Sequence, residues 1–402
     1  MQLRYGTNPH QEARAVLPAD GLPAHGLQAD GMPADGPPAG QAPIQVIHGE
    51  PSYINLLDAL NAWFLVREAA AATGLPAAAS FKHVSPAGVA VAGPLDAAAQ
   101  QAWRLGPSPG ALTAAYVRSR DADPKSSFGD MIAVSEPVDT ELAEFVAGVV
   151  SDGMIAPDYL DGAVGILAPK KHGTFLLMTA DPGYEPPAWE QRDVYGVVLA
   201  QERDRVPLTP DLLSVVSGPA LPPHAVRDAL LGLAAVRYTQ SNSVALVAGG
   251  AAVGIGAGQQ NRVDCVRLAA TKSATWWLRR HEHIRNLAAV PGMLRQDRLN
   301  WQIRMAEADM TPRQLAEFAA LFPGTEPYLD EAERNRWLAR LDSVTLSSDG
   351  FLPFRDNIDH ASRAGVRYVV EPGVSSRSDE VTQACEEYGM TLVRTGLRLF
   401  HH

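Results

Sequence analysis

The segment Ser80-Phe81-Lys82-His83-Val84-Ser85-Pro86-Ala87-Gly88 sets a cation and a titratable imidazole side by side at the end of an apolar run. A neutral histidine accepts a proton near pH 7, and an adjoining ammonium disfavours the charged imidazole, keeping it in the form that acts as a base. The lysine can stabilise an oxyanion as it develops. Neighbouring side chains of a regular strand point to opposite faces, so Lys82 and His83 can serve one substrate only where the chain leaves the strand. Pro86 and Gly88 are expected to supply that turn. Alone, the dipeptide is a weak signal, since most Lys-His neighbours are ordinary surface residues.

Other groups with chemical potential have bland rivals. The glycines of Gly254-Ile255-Gly256-Ala257-Gly258-Gln259-Gln260-Asn261-Arg262 match neither the G-x-G-x-x-G dinucleotide fingerprint nor a phosphate loop, which needs Gly-Lys-Ser/Thr. A tight strand-to-helix turn accounts for them without a ligand, while Arg262 remains able to reach an anion. His281-Glu282-His283 suggests metal, yet residues two apart on a helix face different ways and no further ligand motif accompanies them. A charged helical face beside Arg279 and Arg280 is the expected role, and Trp276 and Trp277 read as core. Polar clusters at 118–121, 126–130, 151–153, 238–243 and 347–357 are expected in loops at the ends of successive elements, where α/β proteins bind ligands. Asp356 is placed as a helix N-cap.

The elements that position these groups alternate. Leu56, Leu57, Leu60, Trp63 and Phe64 mark one face of a helix over 55–72, followed by an apolar strand ending at Lys82. Further strands are expected at 130–135, 196–200, 243–247, 343–346, 366–370 and 391–393. Helices are expected at 109–118, 141–150, 224–236, 260–287, 311–321, 356–364 and 380–388. This rhythm predicts an α/β protein with layered sheets. Residues 17–43 differ: a Leu-Pro-Ala-Asp-Gly-like unit recurs, too rich in proline and glycine for a helix or a central strand, and a projecting loop is expected. His25 within it is expected to be solvated.

With 402 residues, 46% hydrophobic and 20% charged, the chain can bury two or three substantial cores. A net charge of −11 argues against nucleic-acid or anionic-membrane partners. Cys265 and Cys385 are too few for a disulfide framework or a four-cysteine zinc site and fit a reducing compartment, so a cytoplasmic protein is expected. No signal core or membrane-length apolar run is seen.

Several ordered blocks resemble the transformylase domain of the bifunctional purine-biosynthesis family, aminoimidazole carboxamide ribonucleotide (AICAR) transformylase/inosine monophosphate cyclohydrolase. They are Arg4-Tyr5-Gly6-Thr7-Asn8-Pro9-His10-Gln11, 80–88, 126–130, 151–157, 238–244, 254–262 and Leu397-Arg398-Leu399-Phe400-His401-His402. The resemblance implies transfer of a formyl group from 10-formyltetrahydrofolate, a co-substrate, to the 5-amino group of AICAR. It implies His83 as base, Lys82 as oxyanion stabiliser and Asn242 as the residue orienting His83 and the carboxamide. Arg4, Tyr5, Gly129, Asp152, Arg262, Phe351 and Arg398 match positions that hold the nucleotide. Val263, Asp356, Ser375 and Ser376 match the folate side.

The resemblance also implies a fold of two cytidine-deaminase-like three-layer α/β units without the zinc site, used as a homodimer with shared active sites. The deaminase pattern H-x-E followed by P-C-x-x-C is missing, and no metal is expected for the chemistry. The expected organisation is an arm at 1–16 carrying Arg4-Tyr5, the pentapeptide loop at 17–43, a first unit at 44–200 and a second at 201–402 with a helical insert at about 287–341. Because Arg4 already belongs to the resemblance, a separate cyclohydrolase is expected to consume the product. The match at Glu371-Pro372-Gly373-Val374-Ser375-Ser376 is loose. A non-catalytic nucleotide-binding paralogue, or a formyltransferase for a related aminoimidazole, stays open at this point.

Overall fold

The structure is a computed structural model describing residues 3–5, 11, 42–106, 108–373 and 377–402. Most of the pentapeptide stretch, including His25, and both Ser375 and Ser376 lie outside the described residues. The first half contributes strands β1 (Ile44–His48), β2 (Ala77–Lys82), β3 (Ser85–Val91), β4 (Asp130–Val134), β5 (Ser151–Ala156) and β6 (Leu176–Ala180). A ribbon of β7 (Trp189–Val194) and β8 (Val197–Glu202) follows. The second half adds β9 (Ser214–Ser217), β10 (Val244–Ala248), β11 (Ala251–Gly256), β12 (Val344–Ser348), β13 (Val366–Glu371) and β14 (Thr391–Arg394).

Twelve of these strands form one mixed sheet in the order β1-β6-β5-β4-β2-β3-β11-β10-β12-β13-β14-β9. From each edge inward the pattern is the same. An antiparallel edge strand (β1 or β9) is followed by three mutually parallel strands and then an antiparallel hairpin. The two halves meet where Ala90 of β3 pairs with Ala251 of β11.

Alternation along the strands sets the layers. Ala77, Ala79 and Phe81 share a core with Ala245 and Val247, and this face is covered by the helices Tyr53–Thr73 and Pro223–Arg237. Ala78 and Ile132 face the other way, against helices Ala111–Ala122 and Thr140–Ala147. In the second half Val244 and Leu246 face helices Arg262–Leu278, Asp356–Ser362 and Ser378–Glu387. Helices covering both faces of one sheet make three layers, while the first core runs unbroken across both halves.

Helix Tyr53–Thr73 starts on Ser52, whose hydroxyl accepts from Asn55 N in a capping box, and ends at Gly74. Its Asp58-Ala59-Leu60 recurs as Asp228-Ala229-Leu230 at the matching place in helix Pro223–Arg237. Between helix Arg262–Leu278 and β12, helices Glu282–Arg285, Arg295–Glu307, Pro312–Leu321 and Glu331–Leu338 enclose a small core around Trp301, Phe318 and Phe322. Among the described residues no helix is long and apolar enough to cross a membrane.

Several local expectations are corrected. Pro86 and Gly88 lie inside β3, and Ser151-Asp152-Gly153 opens β5. Proline is tolerated there because the β2–β3 register shifts beside its partner Phe81. The expected strand 196–200 falls in the exposed β7–β8 ribbon. The helix expected over 260–287 stops at Leu278, because Arg279 and Arg280 turn inward. They are no solvated face: both grip buried Asp121, at 2.6 and 2.8 Å. Burial would raise the Asp121 carboxyl, but the two guanidinium groups outweigh it and hold it below its ordinary value. Asp356 is not an N-cap. Arg355 already has helical angles, so Asp356 sits inside the first turn, where it accepts from Asn357 Nδ2.

Gly254 and Gly256 belong to β11 rather than to a strand-to-helix turn. A Cβ on either would stand 2.1 Å from a backbone oxygen of helix Arg262–Leu278, that of Ala269 or Cys265. Glycine lets this helix lie directly on the strand. Gly256→Ala is therefore expected to destabilise the fold by about 3 kcal/mol or more, read as a lower urea midpoint at unchanged slope.

Candidate active site

β2 ends at Lys82 and β3 begins at Ser85, its register partner, so the connection is only His83-Val84. Both residues have positive φ, 55° and 57°. This is the mirror-image two-residue hairpin turn, usually made with glycine or asparagine. A β-branched valine in that region is strained and needs outside support. Asp58 provides it from helix Tyr53–Thr73, its Oδ1 accepting from Val84 N at 2.7 Å and its Oδ2 from His83 N at 3.3 Å. Asp58 as a whole is only 6% exposed. Burial raises its pKa above the ordinary value of 3.8, and the two backbone N–H groups oppose that rise.

Lys82 Nζ donates to Phe128 O at 2.5 Å, just ahead of Gly129. A Cβ on Gly129 would lie 3.9 Å from both Lys82 Nζ and Asp152 Oδ1, so Lys82, Gly129 and Asp152 converge. Asp152 also pairs with Lys171 at 2.7 Å, with both side chains nearly half exposed. Such a pair is weak in water and free to exchange for a ligand. Arg4 and Tyr5 dock at the start of helix Tyr53–Thr73: Arg4 N donates to Pro51 O, Tyr53 N donates to Tyr5 O, and the Arg4 guanidinium lies 4.8 Å from the Tyr5 ring centre.

Lys82, His83, Ser85 and Ser126 line a cavity of about 400 Å³ whose other wall is Ile255, Ala257, Leu268 and Lys272 of the second half. The exposed imidazole and the ammonium thus open on one space, as the chemistry of the pair requires.

A second cluster gathers on the other half. Arg262 is 7% exposed and its guanidinium is already engaged. Nη2 donates to Asn242 Oδ1 at 2.7 Å, and Nη1 donates to Ser348 Oγ at 3.2 Å and pairs with Asp349. Asn242 Nδ2 donates to Gln259 O at 3.0 Å. Both ends of the Asn242 carboxamide are therefore used beside Arg262, not beside His83. Phe351 and Arg398 are exposed, the latter 4.7 Å from the Phe400 ring centre. The tail is bound back through Leu399 N to Asp349 O and His401 N to Ser241 Oγ. Among the described residues none of Asn242, Arg262, Phe351 and Arg398 hydrogen-bonds Lys82 or His83. Val263 is half-buried at the start of helix Arg262–Leu278, and Asp356 opens helix Asp356–Ser362.

The two clusters share one rim of the sheet. In the first half this rim holds the amino ends of β4 and β5, and in the second the carboxyl ends of β12, β13 and β14. The first cluster thus sits opposite the usual crevice at carboxyl strand ends. Sequence reading missed Asp58 and Lys171. Asp58 looked like one more helix residue, and the only available signal was a carboxylate amid the apolar face of 55–72.

Residues 1–272 match the family model described as AICARFT/IMPCHase bienzyme. Over its full length the chain is 31% identical to the bifunctional purine biosynthesis protein PurH of Roseobacter denitrificans and 30% to that of a Ruegeria species. The PurH of Elusimicrobium minutum is 29% identical. The chain spans 59% of the length of the first two and 58% of the third. With the family model matched over residues 1–272 and these relatives aligned along its whole length, the chain belongs to the AICARFT/IMPCHase bienzyme family of purine biosynthesis.

Proposed function

We propose that this chain is the formyltransferase of its family, moving a formyl group from 10-formyltetrahydrofolate to the 5-amino group of AICAR. The observation that carries the reading is the placement of Lys82 and His83 on one cavity at a turn fixed by Asp58. An amine conjugated with an imidazole carboxamide is a poor nucleophile, so it must lose a proton as it attacks. His83 takes that proton as the nitrogen bonds to the formyl carbon. The carbonyl oxygen becomes an oxyanion, which the Lys82 ammonium stabilises. Collapse breaks the bond to the folate nitrogen, which leaves with a proton as tetrahydrofolate. Lysine supplies the positive charge, so the step needs no metal.

The nucleotide is proposed to be gripped by Arg4, Tyr5, Gly129 and Asp152 on one side and by Arg262, Phe351 and Arg398 on the other, with Asn242 orienting the carboxamide and, across the subunit boundary, His83. The folate is proposed to lie by Val263, Asp356, Ser375 and Ser376. Separation of the grip into two internally bonded clusters supports a two-fold homodimer in which a second copy completes each site. The repeated strand order supports reading each half as a cytidine-deaminase-like unit without zinc. Ring closure of the product is assigned outside these residues.

The test is to mix the purified chain with AICAR and 10-formyltetrahydrofolate and follow tetrahydrofolate by absorbance. No turnover while AICAR still binds would remove the catalytic reading. For shared sites, inactive His83→Ala and Arg398→Ala proteins are expected to recover about one quarter of parental activity after subunit exchange, since half the dimers carry one intact site. No recovery, with exchange verified, would place each site within one copy.

A further inference from the structure

Three arginines outside the two clusters meet where the helical insert lies against the first half. Arg104 follows helix Ala97–Trp103, and Arg295 and Arg298 belong to the first turn of helix Arg295–Glu307. Together with Met293, Leu299 and Gln302 they line a cavity of about 20 Å³. One water needs about 10–15 Å³ of such space, so the cavity suits a single particle of water to halide size.

The charge around it is unbalanced. Arg295 Nε and Nη1 are buried with no hydrogen-bond partner. Arg298 donates Nε to Leu287 O at 2.9 Å and Nη2 to Arg285 O at 3.2 Å, neutral carbonyls that leave its charge uncompensated. Among the described residues no carboxylate forms an ion pair with any of the three, including exposed Asp297 on the same helix turn. Burial first, and then the charge of Arg104, pull Arg295 and Arg298 below the ordinary guanidinium pKa, with Arg120 adding to the effect on Arg295. Orphaned buried donors are costly, and like charges brought together add to that cost. A bound anion relieves both.

We propose that this pocket binds one halide-sized anion, chloride, held by Arg104, Arg295 and Arg298. The ion accepts from the orphaned N–H groups of Arg295, offsets the repulsion among the three guanidinium groups and fastens the insert to the first half. The proposal does not depend on the reaction assigned to the rim.

Crystals of the full chain soaked in bromide are expected to show an anomalous peak between the three guanidinium groups. In solution, an ion that binds only the folded form raises the thermal midpoint. Chloride is expected to raise it above that in gluconate at equal ionic strength, with phosphate and acetate no better than gluconate. Arg295→Gln is expected to abolish the chloride effect. If that variant does not fold, exposed Arg104→Gln serves instead and is expected to weaken the apparent chloride affinity about tenfold or more. A pocket without bromide, holding water only, overturns the proposal. So does a chloride shift equal in parent and variant, or a larger response to phosphate.

Discussion

His83→Ala is expected to lower turnover by about 10²–10⁴-fold while the dissociation constant for AICAR stays within about threefold. The split follows from when the imidazole acts. In the proposed reaction the amine loses its proton as the new bond forms, so loss of the base is felt in the transition state and hardly in the ground state. Alanine at this position keeps the backbone N–H that Asp58 Oδ2 accepts, so the hairpin and the Lys82 anchor on Phe128 O are retained. Steady-state kinetics beside calorimetric titration with AICAR separate the two quantities. Equal turnover in variant and parent would assign the proton to another group, and a parallel loss of affinity would make His83 a binding residue.

Asp58→Asn carries the second large effect. Asparagine replaces one of the two acceptor oxygens with an NH₂ group, which then faces a backbone N–H of the turn. An unmet buried donor costs about 1–3 kcal/mol, and two non-glycine residues at positive φ have no other support among the described contacts. Turnover is expected to fall about 10²-fold, because the imidazole shifts by an ångström or so from its line of attack. Adding Val84→Gly relieves the strain at the second turn residue, so stability should return in the double variant while turnover stays low. Recovery of both together would make Asp58 merely a stabilising residue.

The pH dependence has a definite sign. The folded pKa of Asp58 is raised above its unfolded value, so the carboxyl contributes most below the unfolded pKa, and that contribution is lost as pH rises through the raised one. The stability deficit of Asp58→Asn should accordingly be greatest in acid and shrink toward neutral pH, as urea titrations at several pH values would record.

Much of this arrangement was readable beforehand. The Leu, Trp and Phe spacing over 55–72 found a helix that runs Tyr53–Thr73, and the apolar run before Lys82 found β2. These are local periodicities, and local periodicity survives folding. The turn itself did not follow from local signals. Pro86 and Gly88 are strong turn formers, yet the bulge beside Phe81 absorbs the proline into a strand. His83-Val84 carries no turn signature because its conformation is imposed by a carboxylate 25 residues earlier. The same applies to Arg262 and Asn242. Sequence gave each a plausible hold on ligand, but not that they would hold each other, a fact that depends on where β10, β12 and helix Arg262–Leu278 meet. Arg279 and Arg280 looked solvated because Asp121, their buried partner, is more than 150 residues away.

The doubled strand order contains its own control experiment. At the place equivalent to His83-Val84, the β10–β11 hairpin turns on Gly249-Gly250, with φ of 57° and 84°. Glycine adopts these angles freely. The matching aspartate, Asp228, uses its Oδ1 on the neighbouring Arg227 and leaves Oδ2 without a partner. If both copies descend from a single ancestral unit, they have diverged in what they ask of that aspartate. The copy that puts an imidazole at its bend leans on a carboxylate to keep the bend, whereas its glycine-built sibling is released from that dependence. The chemistry proposed above falls on the twin whose backbone is the less at ease.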